Sequence, residues 1–462
     1  VNMLDLDLSF LSGRKKPAPH YLSYPISDEW KPIPEAFYEE SLALLKTRDE
    51  TTLALYIHIP FCTANCSYCL CSAILNRNPE KEAEYVYFLE REIDLLLSRI
   101  DKKCKISSIY IGGGTPIKLS HALLTRLMEK VLLSFSILPE AEIKIEIDPQ
   151  LIALSSEDQL SFIKSLGFNR VSFGVQEIQP VDQEATNKYS SKEMTLKCFS
   201  QAKDNNLCID LDLFYGLPFE TLKSFSELTH NVIQLIPDRI SLFSYAKIAP
   251  SITTSEKSNS PSMNSSQIQF RMYSNAREYF IHQGYLGIGM DQFALKKDSM
   301  SLAYLNKKLQ RNCLGYTINP TDELISIGVS SQSFFQNRYT QNHDNLTEYY
   351  KSLDKRSLPV SKGHALSSED ILRKWIIHQI MCNFQIDKNE FFNIFQIIFD
   401  NKFSSINDDL LKMEMMGFLE NTNDYIYISG LGELFIRVIA MAFDSYLSPS
   451  RNKPKNLSSL SF

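Results

Sequence analysis

The 462 residues, 44% apolar and 22% charged, suffice for two or three domains or one elaborated barrel, and exclude a disordered or fibrous chain. With 48 Lys and Arg against 54 Asp and Glu, the net charge of −6 at pH 7 excludes a general nucleic-acid or anionic-membrane binder, which needs a cationic surface. A local basic pocket remains compatible with that total.

No run approaches the roughly 18 apolar residues of a membrane span. The segment Val1 to Lys16 puts acidic and apolar residues ahead of Arg14-Lys15-Lys16, the reverse of a secretory leader, so a cytoplasmic protein is expected. From residue 53 to residue 295 strand and helix patterns alternate. The predicted strands are Leu53–Pro60, Ile106–Ile111, Ile143–Asp148, Arg170–Gln176, Ile209–Tyr215, Arg239–Ala246 and Tyr285–Ala294. Most are nearly continuous apolar runs, as expected of parallel strands covered on both faces. The clearest helix starts at Asn78-Pro79 and carries Val86, Leu89, Ile93, Leu96 and Ile100 on one face. Such a series builds a doubly wound sheet or a barrel, and the partial barrel is expected. Residues 251–266, rich in Ser, Thr and Asn, read as a flexible loop. Farther on, Ser367 caps a predicted helix through Trp375 to Cys382, and a second helix ends near Gly417. A hairpin over Phe418–Ile428 centres on Asn421-Thr422-Asn423, and a last helix is predicted from Leu431 to Tyr446.

Parallel barrels collect reactive groups at the carboxyl ends of their strands. Here a cysteine cluster follows the first strand, Gly112-Gly113-Gly114-Thr115-Pro116 the second and Asp148-Pro149 the third. Gln176 ends the fourth, and Gly216-Leu217-Pro218 follows the fifth. Of nine cysteines, Cys62, Cys66, Cys69 and Cys71 stand together, whereas Cys104, Cys198, Cys208, Cys313 and Cys382 are scattered and read as small buried hydrophobes. Clustered thiols in a cytosolic chain point to metal ligation before disulfides. The spacing Cys62-x3-Cys66-x2-Cys69 puts three thiolates on one tight loop, enough to hold three irons of a four-iron cube. The fourth iron then lacks a protein ligand and is open to a small molecule, whereas a structural zinc site would use a second cysteine pair. The glycine triplet lets backbone approach a ligand closely, or is merely a tight turn. Glu146 and Asp212 are ligand-binding acids or polar strand ends, and an acid in a run as apolar as Ile209–Tyr215 requires a partner if buried. A lone His58 reads as a satisfied core residue before it reads as a functional one.

At these residues the chain resembles a known family. The cysteine spacing resembles the radical S-adenosylmethionine (SAM) superfamily. The extra cysteine of Cys69-Leu70-Cys71 is similar to that of the oxygen-independent coproporphyrinogen III oxidase (dehydrogenase) family. So are His20-Tyr21-Leu22-Ser23-Tyr24-Pro25, Tyr56 to Cys62, Ile145 to Pro149, Gly167 to Arg170, Gly289-Met290-Asp291, Met381 to Phe384 and Ile439 to Asp444. The resemblance implies an α/β fold: an N-terminal extension (1–50), a partial (β/α)6-type radical SAM barrel (51–300) and a connecting segment that closes the active site (301–364). A small, mostly helical domain (365–448) and a disordered tail (449–462) would follow.

The same resemblance implies one [4Fe-4S] cluster on Cys62, Cys66 and Cys69, and two SAM molecules. Tyr56, Gly113, Glu146, Ala246 and Gln332 match the first SAM site. Tyr68, Gly114, Thr115, Gln176, Lys188 and Asp212 match the second. Cys71, required in the family without being a cluster ligand, is expected to be catalytic together with His58 and Tyr56. The implied reaction turns two propionates of coproporphyrinogen III, on rings A and B, into vinyl groups through a 5′-deoxyadenosyl radical. It gives protoporphyrinogen IX, a late step of haem biosynthesis. A one-electron reductant such as flavodoxin is implied, with no nucleic acid, no membrane and a monomeric state. Leu70 stands where the family has Gly, Lys188 where it has Arg, Cys313-Leu314 where it has Phe-Gln, and Gln332 where it has an apolar residue. These departures leave open another radical SAM reaction on a tetrapyrrole, methyl transfer or ring opening, and a haem chaperone. The four propionates of the substrate call for a positive pocket, with Arg170, Arg239 and Arg311 as candidates.

Overall fold

Successive side chains of a strand point to opposite faces, so that each central strand buries one face under helices and turns the other into the barrel. In the third parallel strand Ile143, Ile145 and Ile147 are buried in the main apolar core, while Glu142, Lys144 and Glu146 line an interior cavity. The expected nearly continuous apolar run is borne out in Thr52–Ile59, where all but the first residue is buried, and corrected in this third strand, whose inward positions are polar because the barrel encloses space. The computed structural model describes residues 18–46, 52–62, 74–76, 78–100, 104–175, 192–217, 220–245 and 266–447.

The main sheet has 13 strands. In chain order they are β1 (Lys31–Pro32), β2 (Thr52–Ile59), β3 (Lys105–Gly113), β4 (Ser136–Glu146), β5 (Arg170–Gly174), β6 (Cys208–Tyr215) and β7 (Arg239–Ser244). Then come β8 (Tyr285–Ile288), β9 (Gln292–Leu295), β10 (Leu324–Ile327), β11 (Gln332–Phe335), β12 (Arg338–Asn342) and β13 (Val360–Ala365). Their spatial order is β1-β13-β12-β11-β10-β2-β3-β4-β5-β6-β7-β9-β8. Strands β2 to β7 are all parallel, and β10 adds a parallel neighbour to β2, with Leu324 opposite Ala54 and Ile327 opposite Ile57. The outer strands are antiparallel, and the sheet runs open from β1 to β8, as expected of an α/β partial barrel.

One predicted strand is corrected. Tyr285–Ala294 is a hairpin, β8 and β9, turned at Gly289, whose φ is +59°. Tyr316 crowds the space a side chain at Gly289 would need, and its hydroxyl accepts a hydrogen bond from Met290 N–H at 3.1 Å. The helix expected after Asn78 spans Pro79–Arg99; the Asn78 side chain accepts the Glu80 N–H at 2.9 Å. It buries Tyr85, Val86, Phe88, Leu89, Ile93 and Leu96, each aliphatic side chain contributing about 1.5–3 kcal/mol relative to exposure.

Beyond the sheet, Ser367 and Asp370 form a reciprocal cap on helix Ser368–Asn383. The expected hairpin is present as Leu419–Asn421 and Tyr425–Ile428, joined by Gln385–Asp387 into three strands. The last predicted helix is broken into Gly430–Glu433, Ile436–Met441 and a 3-10 turn Ser445–Leu447. At the break Phe435 stacks on Phe418 and Phe270, with ring centres 4.6 and 5.5 Å away. The N-terminal segment is tied to this domain: the Tyr21 hydroxyl donates to Asp444 at 3.1 Å, and Tyr24 and Ser445 share a hydrogen bond of 3.1 Å. Most of the predicted flexible loop and the tail after residue 449 lie outside the described residues.

Candidate active site

Strand register brings the carboxyl ends of β2 and β3 side by side, with Tyr56 opposite Tyr110, His58 opposite Gly112 and Ile59 opposite Gly113. The chain then turns tightly: Gly114 N–H donates to Ile59 carbonyl and Thr115 N–H to Phe61 carbonyl, both at 2.7 Å. Gly114 has to be glycine, because a Cβ there would lie 2.6 Å from the Phe61 oxygen. Gly113, at φ +112°, faces the His58 ring, which occupies the space of a Cβ. Cys62 stands beside this turn, accepting a hydrogen bond from the Thr115 hydroxyl at 3.8 Å.

Glu146, at the end of β4, accepts the Gly113 N–H at 3.1 Å and the Tyr110 hydroxyl. Burial pushes its carboxyl up and the Tyr110 hydrogen bond holds it down, while the charge of neighbouring Asp212 adds to the upward push. Asp212, on β6, is likewise raised by burial, and takes a hydrogen bond from Ser172 at 2.9 Å. The Tyr56 hydroxyl lies 3.0 Å from His58 Nδ1. His58 is only 7% exposed, and burial lowers it to about 4, so the ring is neutral near pH 7. Among the described residues its Nε2 is buried without a hydrogen-bond partner.

Below these groups the barrel holds a cavity of about 530 Å³, lined by Tyr110, Lys144, Glu146, Asp212, Asp291 and Arg311 among others. Lys144 binds Asp210 at 3.2 Å and sits over the Tyr110 ring at 4.5 Å. One layer deeper, Arg239 grips Glu142 with two hydrogen bonds, 2.9 and 2.7 Å, and Asp298 with a third at 2.8 Å. Arg170 reaches Asp298 at 2.8 Å and also pairs with Asp210 and Glu142. Although burial pushes upward, Arg170 holds Asp210 well below the usual carboxylate range, and Arg239 and Arg170 hold Glu142 down. Two of the three candidate propionate arginines are therefore committed to the protein's own carboxylates; only Arg311 remains.

Of the predicted site residues, the structure gathers Tyr56, His58, Cys62, Gly113, Gly114, Thr115, Glu146 and Asp212 at the carboxyl ends of neighbouring strands. Gln332, on β11, is separated from β2 by β10: its carbonyl accepts from Ser326, which is opposite Tyr56 in the register. Cys66, Tyr68, Cys69, Cys71, Gln176, Lys188 and Ala246 lie outside the described residues. Sequence reasoning missed Tyr110 and Lys144, whose signal was present: both stand two residues before an inward-facing position, Gly112 or Glu146. The scattered cysteines behave as expected at Cys104, Cys198 and Cys382, all buried. Burial pushes the thiols of Cys198, Cys313 and Cys382 up to about 12, which keeps them protonated and unreactive.

A cysteine thiol at the end of the first parallel strand, beside a glycine turn that exposes backbone, suits a soft metal cluster with a small ligand on it. Residues 56–232 match the family described as the radical SAM superfamily. The partial barrel is thus that of a radical SAM protein. Oxygen-independent coproporphyrinogen III oxidase of Helicobacter pylori is 33% identical over 96% of this chain and 98% of that protein. The Escherichia coli protein of the same name is 32% identical over 97% of each chain. A solved structure of coproporphyrinogen III oxidase from Escherichia coli, titled a radical SAM enzyme, superposes with a TM-score of 0.86, covering 96% of this chain and 99% of that one at 30% identity. The chain belongs to the oxygen-independent coproporphyrinogen III oxidase family.

Proposed function

We propose that the protein decarboxylates two propionate side chains of coproporphyrinogen III oxidatively to vinyl groups, giving protoporphyrinogen IX for haem biosynthesis. The observation that carries this reading is likeness along the whole chain, 96% of it against the Helicobacter pylori relative, rather than over the barrel alone. The relatives named above carry that one activity in their names, and methyl transfer, ring opening and haem carriage have no support among them.

The enzyme uses a [4Fe-4S] cluster and SAM, which together supply a carbon radical able to take hydrogen from the β-carbon of a propionate. Loss of CO2, with one electron passed to a one-electron acceptor, then leaves the vinyl group. Cys62, with Cys66 and Cys69, would hold the cluster. The Gly112–Gly114 turn leaves backbone open to SAM, and Glu146 would accept hydrogen bonds from its polar groups. The donors already aimed at Glu146, a backbone N–H and the Tyr110 hydroxyl, suit its ionised form. Tyr56 orients the neutral His58 ring through Nδ1 and leaves Nε2 for the reaction space. Asp212, with Tyr68, Gly114, Thr115, Gln176 and Lys188, would form a second SAM site. A flavodoxin-like reductant, a monomeric state and a cytoplasmic location belong to the same reading. Among the described residues no helix is long and apolar enough to cross a membrane.

Anaerobic incubation with reductant, SAM and coproporphyrinogen III should release CO2 and form protoporphyrinogen IX, measured as the oxidised porphyrin. Cleavage of SAM without decarboxylation refutes the assignment. Alanine at Cys62, Cys66 or Cys69 should abolish iron binding, whereas alanine at Cys71 should spare the iron and stop turnover.

A further inference from the structure

Arg311 lies on the short strand Gln310–Asn312, paired with Gly315–Thr317, and is 7% exposed. It lines the interior cavity beside His20, Asp291 and Tyr316. Its guanidinium stacks on the Tyr316 ring, 4.3 Å from the ring centre, and donates one hydrogen bond, from Nη2 to the His20 carbonyl at 2.9 Å. Among the described residues, Nε and Nη1 are buried and have no hydrogen-bond partner. A buried guanidinium with two donors unmet is costly, and native structures keep such a group where a ligand completes it.

The contrast with the other interior arginines is direct: Arg170 and Arg239 face Glu142, Asp210 and Asp298, while Arg311 has no such ion pair among the described residues. A second buried guanidinium, Arg437, bonds the Ala18 carbonyl at 3.2 Å from the C-terminal domain, and its charge reaches Arg311 and Asp291. Both guanidiniums also bear on His20: burial, then Arg437 and Arg311, lower its ring to about 3.

We propose that Arg311 is a carboxylate-binding subsite in the cavity wall, completed by a propionate of the tetrapyrrole or by the carboxylate of SAM. The choice of these ligands rests on the function proposed above; the unmet donors do not. A carboxylate fits because it is planar, singly charged and accepts several N–H bonds from one guanidinium. Tyr316 fixes the plane of the guanidinium, and His20 places one edge of it.

The test uses the cluster-loaded enzyme with R311Q and R311K. The probes are coproporphyrin III (the stable tetracarboxylate), its uncharged tetraamide, and SAM. If a propionate fills the subsite, R311Q weakens coproporphyrin III roughly ten- to a hundredfold, the range of a lost charged hydrogen bond, and leaves the tetraamide unchanged. R311K, which keeps the charge without the planar fork, recovers part of that loss. If SAM fills it, the same loss falls on SAM affinity and spares both porphyrins. The subsite is overturned if R311Q binds all three probes as the wild type does, or if acid and amide weaken equally, the mark of a packing role. Should R311Q fail to fold, R311K decides alone: a several-fold loss confined to the carboxylate probe supports the subsite, and equal binding of every probe overturns it. Wild-type enzyme that does not bind coproporphyrin III overturns the proposed function instead, and the subsite then stands or falls on SAM.

Discussion

Alanine at Gly113 probes the coupling between the glycine turn and His58. A residue with a Cβ at φ +112° costs about 1–2 kcal/mol in backbone strain. The added carbon also falls on the His58 ring, which is 7% exposed and held through Nδ1 by the Tyr56 hydroxyl at 3.0 Å. Overfilling a site that cannot relax costs about 1–3 kcal/mol more, so G113A should destabilise the protein by about 2–5 kcal/mol. Removing the ring with H58A makes room, and only the backbone cost should then remain. The double-mutant cycle isolates the steric part, about 1–3 kcal/mol of coupling. Urea unfolding of the four proteins at one pH, followed by near-ultraviolet circular dichroism, gives each quantity. Strict additivity of G113A and H58A would mean that the ring does not occupy that space, and the geometry of the turn would be refuted.

A second expectation concerns Glu92, which accepts the Gly328 N–H at 2.8 Å and the Asn342 amide at 2.7 Å, and which burial raises to about 7. A carboxyl higher in the folded chain than its ordinary 4.5 stabilises fully below that pH and loses its contribution as pH climbs to about 7. That loss is about 3 kcal/mol; E92Q should flatten the urea midpoint across this window, and an unchanged slope would exclude Glu92 as its source. Losing Arg239 leaves Glu142 and Asp298 short of a cation, so R239M should cost about 3–5 kcal/mol. R126A, which breaks only an exposed pair with Glu90, should cost about 1 kcal/mol or less, and equal thermal shifts would contradict the buried network. Finally, Y110F removes the hydroxyl that holds Glu146 down against burial. Its carboxyl should rise, so SAM affinity, read by anaerobic equilibrium dialysis against pH, should fade at a higher pH than in the wild type.

Much of the site was legible because it follows strand ends. Cys62, the glycine triplet and Asp148 each come directly after a recognisable apolar run, and Asp148 caps its helix by accepting the Gln150 N–H at 3.0 Å. What escaped was set by partners far along the chain. Nothing local marks Leu324–Ile327 as the parallel neighbour of β2, since the pairing joins residues more than two hundred apart in sequence. The polar interior was hidden for a related reason: Glu142, Lys144 and Asp210 read as interruptions of apolar strands until Arg170, Arg239 and Asp298 stand opposite them. The hairpin at Gly289 was concealed by apolar residues on both sides of a turn that only Tyr316, from another ribbon, makes necessary.

The ties between residues 18–24 and the distant end of the chain bear on how the enzyme is made. Ala18, His20, Tyr21 and Tyr24 find their hydrogen-bond partners 291 to 423 residues downstream. Since His20 and Leu22 form part of the cavity wall, a nascent polypeptide carries an unlatched vessel until its last helical turns leave the ribosome. A chain that stops before Asp444 therefore carries every barrel strand and the cysteine motif without the partners that fasten Tyr21 and Tyr24.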